Sequence, residues 1–216
     1  MKKALIPLLA LCGAVSLTQA QDIKGDADAG GKINAMCVGC HGLYRYQASF
    51  PEVYKVPKIA GQNAKYLAAA LEEYKKGDRK HPSMRGIAGS LSEQNIADLA
   101  AYYAKLGAAP PAPETPAAPP ADVAALLTKG VCSSCHGANF SKPIDGSYPK
   151  IAGQYPDYLY AALKAYKTEG NPHIGRGNAI MGAQVKQFSL AELKQIADYI
   201  GSLTAEVQTV MEPEFH

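Results

Sequence analysis

Cys37-Val38-Gly39-Cys40-His41 and Cys132-Ser133-Ser134-Cys135-His136 decide how this sequence is read. Each is a pair of cysteines three positions apart, with a histidine directly after the second. Three positions are close to one helical turn, so both thiols lie near one side of the chain with the imidazole beside them. The copies stand 95 residues apart, and the repeat extends well beyond them. Pro57-Lys58-Ile59-Ala60-Gly61-Gln62 recurs unchanged as Pro149-Lys150-Ile151-Ala152-Gly153-Gln154, at an offset of 92. Tyr66, Leu67 and Tyr74 recur as Tyr158, Leu159 and Tyr166 at the same offset. Met84, Ser92, Ala100 and Tyr102 recur as Met181, Ser189, Ala197 and Tyr199 at an offset of 97. Small insertions on either side of an identical hexapeptide mark an internal duplication with surface loops that vary.

Between the copies, residues 108–121 read AAPPAPETPAAPPA, with six Pro and six Ala. So many fixed φ angles predict an extended, semi-stiff polyproline II spacer. The expected layout is therefore a first unit over 21–107, a linker over 108–121 and a second unit over 122–216. Residues 1–20 stand apart. Lys2 and Lys3 precede an apolar run from Ala4 to Leu17, and Thr18-Gln19-Ala20 is a small-x-small cleavage site. That run falls short of the ~20 residues that span a bilayer, so it reads as a cleaved secretory signal and not an anchor. Leu11 ahead of Cys12 argues against a lipoprotein signal. The expected mature chain is exported.

Each unit reads as helical. Leu67, Leu71 and Tyr74 fall at helical spacing within 64–76, and Gly77 should stop that helix. Ser92 is a candidate N-cap for a helix presenting Ile96, Leu99, Tyr103 and Leu106. Its twin Ser189, with Glu192 three positions on, is a capping box ahead of Leu193, Ile196, Ile200 and Leu203. Short helices are expected before each cysteine pair, around 28–36 and 123–129. No segment alternates as a strand should. Three or four short helices in ~85 residues bury little on their own, so a cofactor should complete each core.

Of the five cysteines, Cys12 should leave with the signal, and the four that remain in an exported chain would ordinarily suggest two disulfides. The spacing points elsewhere. C-x-x-C-H is the haem attachment sequence: the thiols form thioethers to the porphyrin and the histidine becomes the proximal iron ligand. A zinc ribbon needs its cysteine pairs about 15–20 residues apart, whereas 91 residues separate Cys40 from Cys132. A thioredoxin-like pair needs a βαβ surround, which is missing. Two covalent haem c groups are therefore expected, on Cys37 and Cys40 with His41, and on Cys132 and Cys135 with His136.

The sixth ligand decides function. A methionine thioether closes the iron and raises its potential, which suits electron transfer. Met84 and Met181 occupy matching repeat positions, in what read as Gly-containing loops just before the last helix of each unit. Met36 abuts Cys37, and Met211 has no twin. His81 and His173 are out of register with each other and read as surface or propionate contacts. His216 is terminal. The proximal imidazoles need their second nitrogen bonded, and a carbonyl of the Pro57 and Pro149 loops is the expected acceptor. Tyr66, Tyr158, Tyr102 and Tyr199 read chiefly as packing residues.

Composition narrows the field. The 216 residues are 47% hydrophobic and 19% charged, unlike a disordered chain. A net charge of +3, with no Lys/Arg run longer than two, excludes nucleic acid as an expected partner. Residues 21–107 carry +3 and residues 122–216 carry −1. Charge complementarity steers transient docking, so the units could serve different partners.

Two C-x-x-C-H units, a PKIAGQ loop after each, and a Met followed by a Ser-capped helix resemble the di-haem cytochrome c4 family over essentially the whole mature chain. The resemblance implies an all-α fold of two tandem class I cytochrome c domains related by pseudo-two-fold symmetry, with haem propionate edges facing each other. It implies His41 with Met84 and His136 with Met181 as axial pairs. It also implies periplasmic electron delivery from a bc1-type donor to a haem–copper oxidase. A monomer is expected, with room for peripheral membrane association. The alternative is the cytochrome subunit of a dehydrogenase, such as a sulfide-oxidising flavocytochrome. A di-haem peroxidase would need one iron without a permanent Met, and a non-haem metal protein would fail a haem stain. The linker is unusually rich in Pro and Ala for the family. Extended, it spans up to ~43 Å at ~3.1 Å per residue, long enough to run along the outside of a docked pair.

Overall fold

The computed structural model describes residues 23–107 and 109–211; the expected cleavage site at Ala20 and the terminal His216 lie outside them. The first half opens with α1 (Ala27–Lys32) and α2 (Ala35–His41). Asp26 caps α1 by accepting from the backbone N–H groups of Asp28 and Ala29. The helix expected over 28–36 is thus split at Asn34, and Cys37, Cys40 and His41 lie on the second piece. β1 (Gln47–Ala48) and β2 (Tyr54–Lys55) then pair antiparallel. α3 (Ala64–Lys76) follows and ends as expected at Gly77, whose φ of +89° lets its N–H reach the carbonyls of Glu73 and Tyr74. After β3 (Arg79–Lys80) come α4 (Pro82–Gly89) and α5 (Glu93–Lys105). Ser92 caps α5, and Asn95 completes a reciprocal capping box.

The second half repeats the helical plan, without a counterpart to the β1–β2 pair among the described residues: α6 (Ala121–Lys129), α7 (Cys132–His136), α8 (Pro156–Ala165), β4 (Gly175–Arg176), α9 (Ala179–Lys186) and α10 (Leu190–Ser202). The Ser189–Glu192 capping box opens α10 as expected. Two expectations need correction. The four strands among the described residues are two-residue pairings too short for alternation to reveal. Met84 and Met181 lie on the short helices α4 and α9, not in loops. Their starts are set by caps that glycine counting overlooks: His81 with Pro82 at the first helical position, and Asn178.

The interior is divided unevenly. Val123, Phe140, Leu159, Phe188, Leu193, Ile196 and Ile200 belong to one apolar cluster in the second half. In the first half the buried apolar residues are Val38, Ile96, Leu99, Tyr103 and four alanines. There α1 crosses α5 backbone to backbone: a Cβ on Gly30 would sit 2.2 Å from the Asp98 carbonyl oxygen. Much of the remaining interior is a cavity.

The halves are docked about a pseudo-two-fold axis. β3 pairs antiparallel with β4, and Arg79 faces Arg176, its own repeat equivalent. Antiparallel pairing of equivalent residues places the axis between them. Lys55 bridges to Asp157 at 2.8 Å, Lys65 to Asp145 at 3.2 Å, and Lys164 pairs with Glu52. The C-terminal segment crosses back to the first half, where Gln208 bridges to Ala60 in both directions. The proline-rich segment forms no helix or strand over 109–120. It is fastened to the second half: the Tyr199 hydroxyl donates to the Ala117 carbonyl at 2.8 Å, and Asn139 donates to that of Pro113 at 3.1 Å. Glu206 accepts from the Ala112 N–H at 3.0 Å and from the Lys150 ammonium at 3.0 Å.

Candidate haem sites

A cavity of about 600 Å³ runs through both halves. His41, Met84, His136 and Met181 all line it, as do Cys37 and Cys40. Apolar walls come from Leu67, Leu71, Ile87 and Leu99 in the first half, and from Ile151, Leu159, Leu163 and Ile200 in the second. Cys132 packs half-buried against the apolar cluster of the second half, and Cys135 is half-buried on the same helix. Neither of these cysteine pairs forms a disulfide. Burial pushes the Cys37 and Cys132 thiols above their ordinary pKa.

The histidines are held identically. His41 Nδ1 lies 2.9 Å from the Pro57 carbonyl oxygen, and His136 Nδ1 lies 3.0 Å from that of Pro149. These are the carbonyls expected from the duplicated loop. A carbonyl can only accept, so Nδ1 carries the proton and Nε2 keeps its lone pair. Burial lowers both imidazole pKa values; the carbonyl bonds oppose this, and His81 adds to it at His41. A neutral imidazole with a fixed tautomer is what an iron requires.

The methionines are also placed alike. His81 Nδ1 accepts from the Met84 N–H at 3.3 Å, and Asn178 Oδ1 accepts from the Met181 N–H at 3.0 Å. His81 is therefore a helix cap on the cavity wall, with Asn178 as its structural twin. His173 is exposed, its ring 5.8 Å from that of Phe50. Met36 and Met211 are largely exposed. Met36 borders the cavity mouth beside Cys37.

Sequence reasoning missed Arg79 and Arg176, although they share the offset of the Met pair. Arg79 is buried, pairs with Glu73, and stacks over Tyr66 and Tyr74 at 5.3 and 5.7 Å. Arg176 stacks over the equivalent Tyr158 and Tyr166, both at 5.5 Å, and donates to the Tyr158 hydroxyl at 3.0 Å. Among the described residues no carboxylate lies within 4.0 Å of it. A guanidinium facing an apolar cavity without a counter-ion calls for an anionic occupant. Apolar walls, neutral imidazoles, thioethers and unmatched guanidinium charge together fit haem, whose macrocycle is apolar and whose propionates are anionic.

The chain matches the cytochrome c family twice, over residues 27–107 and 120–204. It is 31% identical to cytochrome c4 of Azotobacter vinelandii, over 94% of this chain and the whole of that one. It is 28% identical to the thiosulfate dehydrogenase electron acceptor of Stutzerimonas stutzeri, over 94% of this chain and 97% of that one. The crystal structure of reduced recombinant cytochrome c4 from Pseudomonas stutzeri superposes with a TM-score of 0.59 at 26% identity, covering 83% of this chain and all of that one. The duplicated fold and the full-length match lead to one assignment: this chain belongs to the cytochrome c family and, within it, to the di-haem cytochromes c4, electron-transfer proteins rather than enzymes that carry two covalently attached haem c groups.

Proposed function

We propose that the chain is a periplasmic electron carrier in which His41 and Met84 are the axial pair of one iron and His136 and Met181 that of the other. Cys37 with Cys40, and Cys132 with Cys135, supply the thioethers. The two electron-carrying units are 21–107 and 122–216, joined by 108–121. A haem held by these residues would supply one-electron uptake and release without ligand exchange. This chain's residues fix the imidazole tautomer, hold the thioether-bearing helices by capped N-termini, and keep water from the apolar walls. The observation that carries the reading is the twofold repetition of that arrangement on one cavity, down to the acceptor atom of each histidine.

The leader over 1–20 supports export to the periplasm, and no helix among the described residues is long and apolar enough to cross a membrane. The donor is a bc1-type complex and the acceptor a haem–copper oxidase, met by a monomer that docks transiently, including at the membrane surface. A second reading has its own support. The likeness to a thiosulfate dehydrogenase electron acceptor favours a chain that takes electrons from a sulfur-oxidising dehydrogenase.

The ligand assignment is tested on the oxidised holoprotein. It should show the methionine-to-iron(III) charge-transfer band for both irons. Met84→Ala and Met181→Ala should each remove half of it and open one iron to cyanide. A band untouched by both variants would overturn the assignment. Partner choice is tested by reduction kinetics with purified bc1 complex and thiosulfate dehydrogenase, and by reoxidation with an oxidase.

A further inference from the structure

The peptide that accepts from each proximal histidine is itself gripped by the opposite half. His41 donates to the carbonyl of the Pro57–Lys58 peptide, and the N–H of that same peptide donates to Gln154 Oε1 at 3.0 Å. Gln154 Nε2 returns a bond to the Lys58 carbonyl at 2.8 Å. The mirror image holds for His136. The N–H of the Pro149–Lys150 peptide donates to Gln62 Oε1 at 2.9 Å, and Gln62 Nε2 donates to the Lys150 carbonyl at 2.8 Å. Each Oε1 takes a second N–H from the next residue of its own half, Tyr155 or Asn63, both at 3.0 Å. Both glutamines are 4% exposed. Backbone partners on both ends fix which amide atom is oxygen. A leucine would fill the same space without any of these bonds.

We propose that Gln62 and Gln154 are positioning residues that couple the two sites crosswise, each tuning the proximal histidine of the other half. The inference rests on the axial assignment of His41 and His136 made above. Hydrogen bonds in series polarise one another. An acceptor on the Lys58 N–H makes the Pro57 oxygen a stronger acceptor for His41 Nδ1–H. The imidazole gains anionic character, which favours the oxidised iron. Removing Gln154 should therefore raise the potential of the site that holds His41, although Gln154 belongs to the loop of the other site. Removing Gln62 should raise that of the site holding His136. The two docking glutamines thus make the electron affinity of each site depend on the halves being docked.

The test is a redox titration of the full-length holoprotein by NMR, following each site through its own histidine signals. Gln154→Met should raise the reduced-to-oxidised ratio of the His41 site at fixed poise by about 1.5- to 5-fold, the share expected when one bond in a charged chain is lost. The His136 site should stay within error of wild type. Gln62→Met should do the converse. In Gln154→Glu and Gln62→Glu the buried acid faces the Lys58 or Lys150 carbonyl and stays protonated to donate to it, while its C=O is a weaker acceptor than an amide. These variants should shift the same crossed sites upward by less than Met does, and they carry the test if the Met variants do not assemble. A shift confined to the mutated residue's own half, or equal at both sites, or none at either, overturns the proposal while leaving the axial assignment intact. Paramagnetically shifted Nδ1–H signals from His41 and His136 in the oxidised wild type check that assignment separately. Their absence would remove the axial reading and the proposal with it.

Discussion

Replacing Gly30 by Ala should destabilise the first half and loosen its site, whereas Gly86→Ala should not. Both glycines are helical, on α1 and α4. Ala in a helix interior is worth roughly 0.5–1 kcal/mol over Gly, so propensity alone favours both changes. Their surroundings differ. A Cβ on Gly86 meets nothing within 4 Å, while one on Gly30 would lie 2.2 Å from the Asp98 oxygen and 2.6 Å from its carbonyl carbon. Those are backbone atoms of α5, so no rotamer change relieves the overlap and α1 must move away. Overpacking of this kind costs about 1–3 kcal/mol, and a backbone clash belongs near the top of that range. After the propensity gain, Gly30→Ala should lose about 2 kcal/mol. In a domain of this size that lowers the melting temperature by about 8–16 °C. α2, with Cys37, Cys40 and His41, follows directly on α1, so the loss should appear in the first site. Calorimetry would read stability, and cyanide binding would report the first iron. A Gly30→Ala protein as stable as Gly86→Ala, with both sites closed, would refute the reasoning.

Other outcomes follow from the same geometry. The holoprotein mass should exceed that of its polypeptide by two haems, and Cys37→Ala with Cys40→Ala should remove one of them and unfold the first half before the second. Acid should loosen the docking. Burial pulls the Asp157 carboxyl up, but bonds from Lys55 and the Tyr158 N–H outweigh it and leave the pKa below its ordinary value; bonds from Ser147, then Lys65, hold Asp145 at about 2. Depressed carboxylates stabilise above the unfolded pKa of ~4 and lose that contribution as pH falls through the folded value. With the linker cut by protease, the halves should therefore separate progressively below about pH 4 by gel filtration, and Asp157→Asn should weaken their association at neutral pH. Ala165→Glu should lower the potential of the second site, measured by titration.

How much of this was readable from the sequence depends on the range of the interaction. Covalent attachment and local capping are encoded within a few residues, so C-x-x-C-H, Gly77 and the Ser189–Glu192 box were legible. The Pro57 and Pro149 carbonyls were also accessible to reasoning, because a ligating imidazole must have an acceptor and the duplicated loop supplied one. The helical setting of Met84 and Met181 was hidden: α4 and α9 run eight residues each, and the cap of α4 is a histidine, a residue not counted among the usual caps. β3 and β4 could not be seen, since their pairing joins residues 95 and 97 apart and exists only because the halves dock. The glutamines stood in the quoted hexapeptide, yet their partners lie in the other copy, and a repeat in one dimension does not say that its copies meet.

Symmetry and its breaking together predict two sites alike in build and unequal in affinity. Arg79 and Arg176 face each other across the axis with equivalent tyrosines beneath them. Glu73 neutralises Arg79, but the residue equivalent to Glu73 in the second half is Ala165, which lines a small cavity beside Arg176. A guanidinium without a protein counter-ion on the second-half side, where Arg79 has Glu73, should favour electron gain there. The charges of whole halves point the other way, +3 for 21–107 and −1 for 122–216. Those charges are spread over solvated surface and are screened beyond about 8–10 Å at ordinary ionic strength. The Arg176 charge borders the cavity itself, where screening is weak. The local term should therefore prevail, with the electron resting on the second site and the first serving as the entry point, and with the docked β3–β4 pairing holding the two close enough to exchange it.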